Sequence, residues 1–256
     1  MVEKLGFKSV SFAWLDVDEK ELKGGKRAIL RNISFSIGPR EVFIIAGPSG
    51  SGKSTVLRLA NRLLIPTGGT VFLDSLDTLE LDVTQLRRRV GLVQQTPALF
   101  EGTVLDNIMF GPRLNRDETG AMSYEEEKRQ VVECLGMAGL SGDFIERKTA
   151  ELSEGEKQRV AIARVLANQP EVLLMDEPTA SLDPSATLAI EKHVRHLTFE
   201  HGLSVLFVTH DVDQAKRIGD RGLLLVDGQK VDEGPLPKLF DSPSNDQTKA
   251  FVNGNL

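Results

Sequence analysis

The sequence predicts an α/β fold: a mostly parallel core sheet, an antiparallel β part at the N-terminus, and an α-helical subdomain inserted into the core. Three observations carry this prediction. Short apolar runs recur at Val42–Ala46, Val71–Leu73, Val90–Val93, Val172–Met175, Val205–Val208 and Leu223–Val226, with helical patterns between several of them. That is the pattern of strands covered on both faces. Two alternating runs, Phe7–Trp14 and Ile29–Ile37, precede the core. From about Phe100 to Ala167 strand patterns give way to helical spacing.

Taken in order, the two alternating runs read as antiparallel strands joined by a charged, glycine-containing loop around Asp16 to Lys26. Val42–Ala46 is apolar throughout and reads as a buried strand. Val56, Leu57, Leu59 and Ala60 then mark the inner face of a helix. Within the helical segment, Ser123 with Glu126 makes a capping box ahead of Val131, Val132 and Leu135. Ser153 with Glu156 makes a second, ahead of Val160, Ile162, Ala163, Val165 and Leu166. The division expected is a core of 1–99 and 168–235, a helical subdomain of 100–167, and a tail of 236–256. That tail is proline-bearing and polar, with little periodicity beyond Phe240 and Phe251, and no internal repeat is found in the chain.

Bulk properties narrow the class. At 256 residues the chain accommodates one large α/β domain or one domain carrying an inserted lobe. A net charge of -6 provides no electrostatic footprint for non-specific nucleic-acid binding. Cys134 is the single cysteine, which excludes intrachain disulfides and cysteine metal clusters and suits a small buried hydrophobe in a helix. No stretch approaches the ~18 consecutive apolar residues of a membrane span, and Met1-Val2-Glu3-Lys4 lacks a signal peptide's apolar region. The chain is therefore expected in the cytoplasm, without direct membrane insertion. Any membrane attachment would come through a partner.

The segment Gly47-Pro48-Ser49-Gly50-Ser51-Gly52-Lys53-Ser54-Thr55 fits G-x-x-x-x-G-K-[ST] between the predicted strand and helix. Backbone N–H groups of such a glycine turn cradle phosphate oxygens at a helix N-terminus. Lys53 is placed to reach the β- and γ-phosphates, and the Ser54 hydroxyl to hold Mg²⁺. A nucleoside triphosphate is the ligand this predicts. Val172–Met175 then ends in Asp176 and Glu177. Strand ends deliver side chains to the ligand crevice, so Asp176 suits Mg²⁺ and Glu177 suits a general base acting on water.

Leu152-Ser153-Glu154-Gly155-Glu156-Lys157-Gln158-Arg159, placed before that acidic pair, resembles the signature segment of ATP-binding cassette (ABC) ATPases. The resemblance spans nearly the whole chain and implies a RecA-like P-loop NTPase core binding ATP and Mg²⁺. Gln95 matches the Q-loop glutamine, also a metal contact, Ser181-Leu182-Asp183 the D-loop, and His210 the switch histidine. Trp14 stands where the family places an aromatic against adenine. As structural alternatives, Trp14 is an edge-strand core residue, Gln95 a polar strand end and His210 a structural histidine. His193, His196 and His201 are expected to be solvated.

The family mechanism so implied is a homodimer, or a dimer with a similar ATPase, that buries two ATP between the P-loop of one chain and Ser153 and Gly155 of the other. Its opening and closing would drive an integral membrane transporter subunit, with the chain peripheral on the inner face of the cell membrane. The signature departs from Leu-Ser-Gly-Gly-Gln at Glu154 and Glu156. Glu156 is explained by the capping box, while Glu154 either turns away from the nucleotide or weakens that half-site. Gln95 to Ile108, with Lys148-Thr149-Ala150-Glu151, resembles a branch linked to iron export and plant aluminium tolerance, so an inorganic ion or metal is the expected cargo. A phosphate or other small-solute importer ATPase and a soluble iron–sulfur assembly ATPase are the alternatives.

Overall fold

A computed structural model describes residues 3–14, 27–114 and 122–255, so the loop expected around Asp16 to Lys26 lies outside the described residues. The antiparallel part is a sheet of β1 (Leu5–Trp14), β2 (Arg27–Ile37), β4 (Gly68–Leu73) and β5 (Leu76–Asp77), in the order β2-β1-β4-β5. The larger sheet contains β3 (Val42–Ala46), β6 (Val90–Val93), β7 (Val172–Asp176), β8 (Ser204–Thr209), β9 (Arg221–Val226) and β10 (Gln229–Pro235). Its order is β10-β9-β3-β8-β7-β6, parallel throughout except for the β9–β10 hairpin.

All five residues of β3 are buried because the strand divides its side chains between two layers. Phe43 and Ile45 pack with the antiparallel sheet, Val56 and Leu57, while Val42, Ile44 and Ala46 face the helical side with Phe207. That is the period of two of a strand covered on both faces. Each fully buried Ile or Phe contributes about 1.5–3 kcal/mol relative to exposure. The Phe35–Phe43 stack (5.3 Å) bridges the two sheets, continued by Phe7–Phe35 (4.7 Å) within the antiparallel one.

The helices are α1 (Lys53–Ala60), α2 (Val83–Arg89), α3 (Val104–Leu114), α4 (Tyr124–Met137), α5 (Glu154–Leu166), α6 (Pro184–His201), α7 (Val212–Ile218), α8 (Leu236–Asp241) and α9 (Asp246–Val252). Both capping boxes form: Ser123 and Ser153 accept from the Glu126 and Glu156 amides, and each glutamate accepts from its cap's backbone N–H. Ile108, Val131, Val160 and Ile162 of the helical segment belong to the same apolar cluster as Val42, Ile44 and Phe207. The lobe is thus pinned to the sheet by a continuous core. Val132 is 41% exposed, one position off the buried stripe of Val131, Cys134 and Leu135. Cys134 is buried, and loss of hydration pushes its thiol up to about 12.

Two expectations need correcting. Residues 236–256 are more than a polar tail: α8 and α9 bury Leu236, Leu239, Phe240 and Phe251 in the main apolar cluster. Helices of six and seven residues are too short to show a helical period in the sequence. His193 is half-buried, with its ring against Gly139 and burial pushing its pKa down, helped by the nearby Arg159 charge. It faces the α4–α5 side, which a surface reading of α6 missed.

An ion cluster links the two sheets. Glu171, just before β7, accepts from Arg89 Nε at 2.6 Å and from Lys4, and both cations also pair with Asp74. The Arg89 hydrogen bond holds the Glu171 carboxyl down at about 2, against burial that pushes it up. A depressed carboxylate stabilises the fold above its unfolded pKa and loses that contribution as pH falls toward the folded value. Because the Glu171 side chain is 39% exposed, solvent screening limits the contribution to about 1 kcal/mol. Glu171→Gln is expected to lower the melting temperature at neutral pH by about 2–4 °C. It should also flatten the stability loss between about 4.5 and about 2 on the pH scale. An unchanged acid-unfolding profile would assign that loss to other carboxylates.

Candidate active site

Four chain segments leave the carboxyl ends of four neighbouring parallel strands, β3, β8, β7 and β6, and meet at one end of the sheet. They carry the 47–55 turn, His210, the Asp176–Glu177 pair and Gln95. This is where open parallel sheets bind ligands.

The turn after β3 is shaped for close backbone approach. A side chain on Gly47 would place its Cβ 2.1 Å from the Leu225 carbonyl oxygen. Gly50 is left-handed at φ 80° with open space where a Cβ would stand, leaving room for an anion against the backbone. Lys53 opens α1 with its side chain only 5% exposed. Its ammonium donates to the Gly47 and Pro48 carbonyls at 2.8 and 2.9 Å and lies 3.4 Å from Glu177 Oε1.

Ser54 Oγ donates to Asp176 Oδ1 at 2.9 Å. Burial pushes the Asp176 carboxyl up; the Ser54 hydrogen bond pulls it down, and the Glu177 charge raises it again. Glu177 takes a left-handed backbone at φ 43°, a strained state for a residue with a side chain and a feature concentrated at functional sites. Its other oxygen lies 3.0 Å from His210 Nδ1. A carboxylate only accepts, so Nδ1–H donates and Nε2 stays free for a ligand.

Ser49, Gly50 and Lys53–Thr55 line one side of a cleft of about 340 Å³, with Gln95 and Glu177 on the other. Gly52 contributes to its wall, and the buried Ser51 hydroxyl has no hydrogen-bond partner among the described residues. The Ser54 and Asp176 oxygens fit a small hard cation such as Mg²⁺, which would supply charge neutralisation at the phosphates. The amide-lined turn and Lys53 fit the phosphates themselves.

Other expected site residues lie outside this cleft. Trp14 is 51% exposed at the end of β1 and meets Phe12 edge-on at 5.1 Å. Ser153 and Gly155 start α5, and Asp183 caps α6 by accepting from the Ser185 and Ala186 amides; none of the three lines the cleft. Glu154 points into solvent with a side chain 60% exposed, and its carboxylate accepts from Lys157 Nζ at 2.7 Å. Buried Gln158 of α5 donates to the Gln94 carbonyl at 3.0 Å, tying that helix to the segment bearing Gln95.

Sequence reading missed a second hollow, a groove of about 430 Å³ running past Pro97, Ala98, Phe100 and Phe110 with Arg164 at its side. The two rings lie 4.6 Å apart and are 50% and 45% exposed. The available signal was two phenylalanines ten positions apart that no strand absorbed.

A parallel sheet ending in a phosphate cradle, with a carboxylate–histidine couple beside it, is the architecture of a P-loop nucleotide-hydrolysing enzyme. More narrowly, the chain belongs to the ABC transporter family, whose sequence profile matches residues 30–180, and it is an ATPase of that family. It is 45% identical over 204 residues to ABC transporter I family member 17 of Arabidopsis thaliana, covering 80% of this chain and 75% of the relative. It is 39% identical over 243 residues to a probable anion import ATP-binding protein of Haloferax volcanii, covering 91% and 84%. The dimeric post-hydrolysis structure of the ATP-binding cassette MJ0796 with ADP and Pi superposes with a TM-score of 0.79. That cassette is 37% identical, over 91% of this chain and 98% of its own.

Proposed function

We propose that two copies of this chain close over two ATP molecules, each P-loop cleft being completed by Ser153, Gly155 and Asp183 of the other copy. The observation that carries this is the separation just described. One chain gathers Lys53, Ser54, Gln95 and Glu177 at a single cleft, with Asp176 bonded to Ser54 and His210 to Glu177, while the signature residues lie elsewhere. In this reading Ser54, Asp176 and Gln95 hold Mg²⁺, Glu177 activates water, His210 contacts the γ-phosphate and Trp14 covers adenine. The core 1–99 and 168–235 holds the nucleotide, and the helical segment 100–167 presents the signature. Size exclusion with Mg²⁺–ATP tests the dimer; an ATP-saturated, hydrolysis-blocked chain that stays monomeric would overturn it.

Glu154 fits an outward placement. At ~4 Å and an effective dielectric near 20, a carboxylate facing a phosphate charge would cost about 4 kcal/mol before relaxation. Its ion pair with Lys157 turns the charge along the helix surface instead. Glu154→Gly is expected to change ATP turnover and dimer fraction by less than about threefold, as surface substitutions stay within ~0.5 kcal/mol. A gain of roughly tenfold, or about 1.4 kcal/mol, would identify Glu154 as a brake on closure.

The cargo we infer is an inorganic ion, moved through a separate membrane subunit. The similarity to a probable anion import protein supports it, as does the iron-export-like segment following Gln95. No helix among the described residues is long and apolar enough to cross a membrane. The groove at Phe100 and Phe110 suits a short apolar segment of the membrane subunit, because its rings are exposed beside the segment following Gln95. Deleting the gene is expected to change the cell's content of one inorganic ion, measured by elemental analysis, and the wild-type gene to restore it. Phe110→Asp should retain turnover in solution yet fail to restore the ion. Unchanged ion content with altered organic solute pools would overturn the inorganic-ion reading.

A further inference from the structure

Behind the Glu177–His210 couple lies a buried polar network to which the site reading assigns no role. Glu191 of α6, Gln214 of α7 and Thr179 are 4%, 3% and 8% exposed. Gln214 Nε2 donates to Thr179 Oγ1 at 2.9 Å and to Glu191 Oε1 at 3.0 Å. The orientation of the amide follows from chemistry, because a carboxylate accepts only and so must face the NH₂ group. Arg217 grips the same carboxylate through Nε and a terminal nitrogen, both at 2.8 Å. The buried charge of Glu191 is thereby paired and hydrogen-bonded, which keeps the network from being a large penalty.

The two ends of Gln214 reach the two halves of the couple. Thr179 lies two residues beyond Glu177, inside the turn closed by the Ala180 amide donating to the Glu177 carbonyl at 3.2 Å. That turn starts from the left-handed Glu177 backbone, which persists only where its surroundings hold it. At its other end, the Gln214 backbone N–H donates to Asp211 Oδ1 at 2.9 Å, closing the N-cap of α7 directly after His210. One residue therefore ties the Glu177 turn to the helix that begins behind His210, with Glu191 as its anchor on α6, itself held by Arg217 of α7.

We infer that Gln214 is a positioning residue: through Thr179 and Asp211 it holds Glu177 and His210 at their 3.0 Å separation. It acts on the couple without touching nucleotide. The inference rests on the proposed roles of Glu177 and His210. Gln214→Met preserves side-chain length and removes both N–H donors. It is expected to lower kcat about tenfold, short of the roughly 10²-fold that a misplacement near 1 Å costs, with KM for ATP within about twofold.

Placed on His210→Ala, the same change should reduce kcat by less than about twofold, since the Glu177–His210 separation it sets has lost one of its two members. Thr179→Val should reproduce the Gln214→Met defect and Thr179→Ser should not. These two variants also decide the matter if Gln214→Met fails to fold. A full tenfold loss in the His210→Ala background, or normal kcat in Gln214→Met or Thr179→Val, would overturn the positioning role while leaving the site reading intact. Wild-type turnover in His210→Ala alone would overturn the couple itself, and the inference with it.

Discussion

Glu177→Gln is expected to lower ATP turnover by roughly 10²–10⁴-fold, the usual contribution of general acid–base catalysis, while ATP still binds. The amide keeps the size of the side chain and one carbonyl oxygen, which can face either Lys53 or His210; these lie 3.4 and 3.0 Å from two different carboxylate oxygens. It removes the basic lone pairs that could take a proton from water, and a charge beside Asp176. Loss of that charge lets Asp176 ionise more readily, because Glu177 is one of the groups pushing its carboxyl up. Cation-assisted binding is therefore retained or improved. With chemistry blocked and binding intact, ATP should hold the closed dimer, giving a doubled mass by size exclusion with light scattering. Turnover within about threefold of wild type, under ~0.7 kcal/mol of barrier, would show that Glu177 is not the base.

The cradle was the most legible part of the sequence because its requirements are local. A buried strand, a glycine turn at Gly47–Gly52 and a helix opening at Lys53 are adjacent in the chain, and each leaves a compositional mark. Asp176–Glu177 was legible for the same reason, as charges at the end of the apolar run of β7. Both capping boxes were visible as Ser-x-x-Glu. What stayed hidden depends on partners distant in sequence. Nothing around Gln214 announces that its amide meets Thr179 and Glu191, residues 35 and 23 positions away. The half-burial of His193 depends on Gly139, across the α4–α5 side. In α8 and α9, two or three buried residues per helix are too few to establish a period.

Lys53→Met should be the most damaging change to binding. The ammonium already spends its donors within the site, on the Gly47 and Pro48 carbonyls and toward Glu177. Its stem is buried, so the rotamer entropy of fixing it is lost on folding and not on nucleotide binding. Methionine fills that stem volume and removes the charge. Hydrogen bonds to charged groups contribute about 1.5–3 kcal/mol, so ATP affinity should fall by about 10–150-fold at 1.4 kcal/mol per tenfold. A further loss of about 10²–10³ in kcat is expected if the ammonium also meets charge developing at the γ-phosphate, the typical effect of removing one donor aimed at such charge. Lys53→Arg should not rescue either quantity. Its planar five-donor fork cannot reproduce a point charge held between two carbonyls of one tight turn. ATP titration and single-turnover kinetics separate the two losses, and thermal melts check that the fold is retained. Affinity and kcat both within about threefold of wild type, roughly 0.7 kcal/mol, would remove Lys53 from the phosphate site and leave it as a clip closing its own loop.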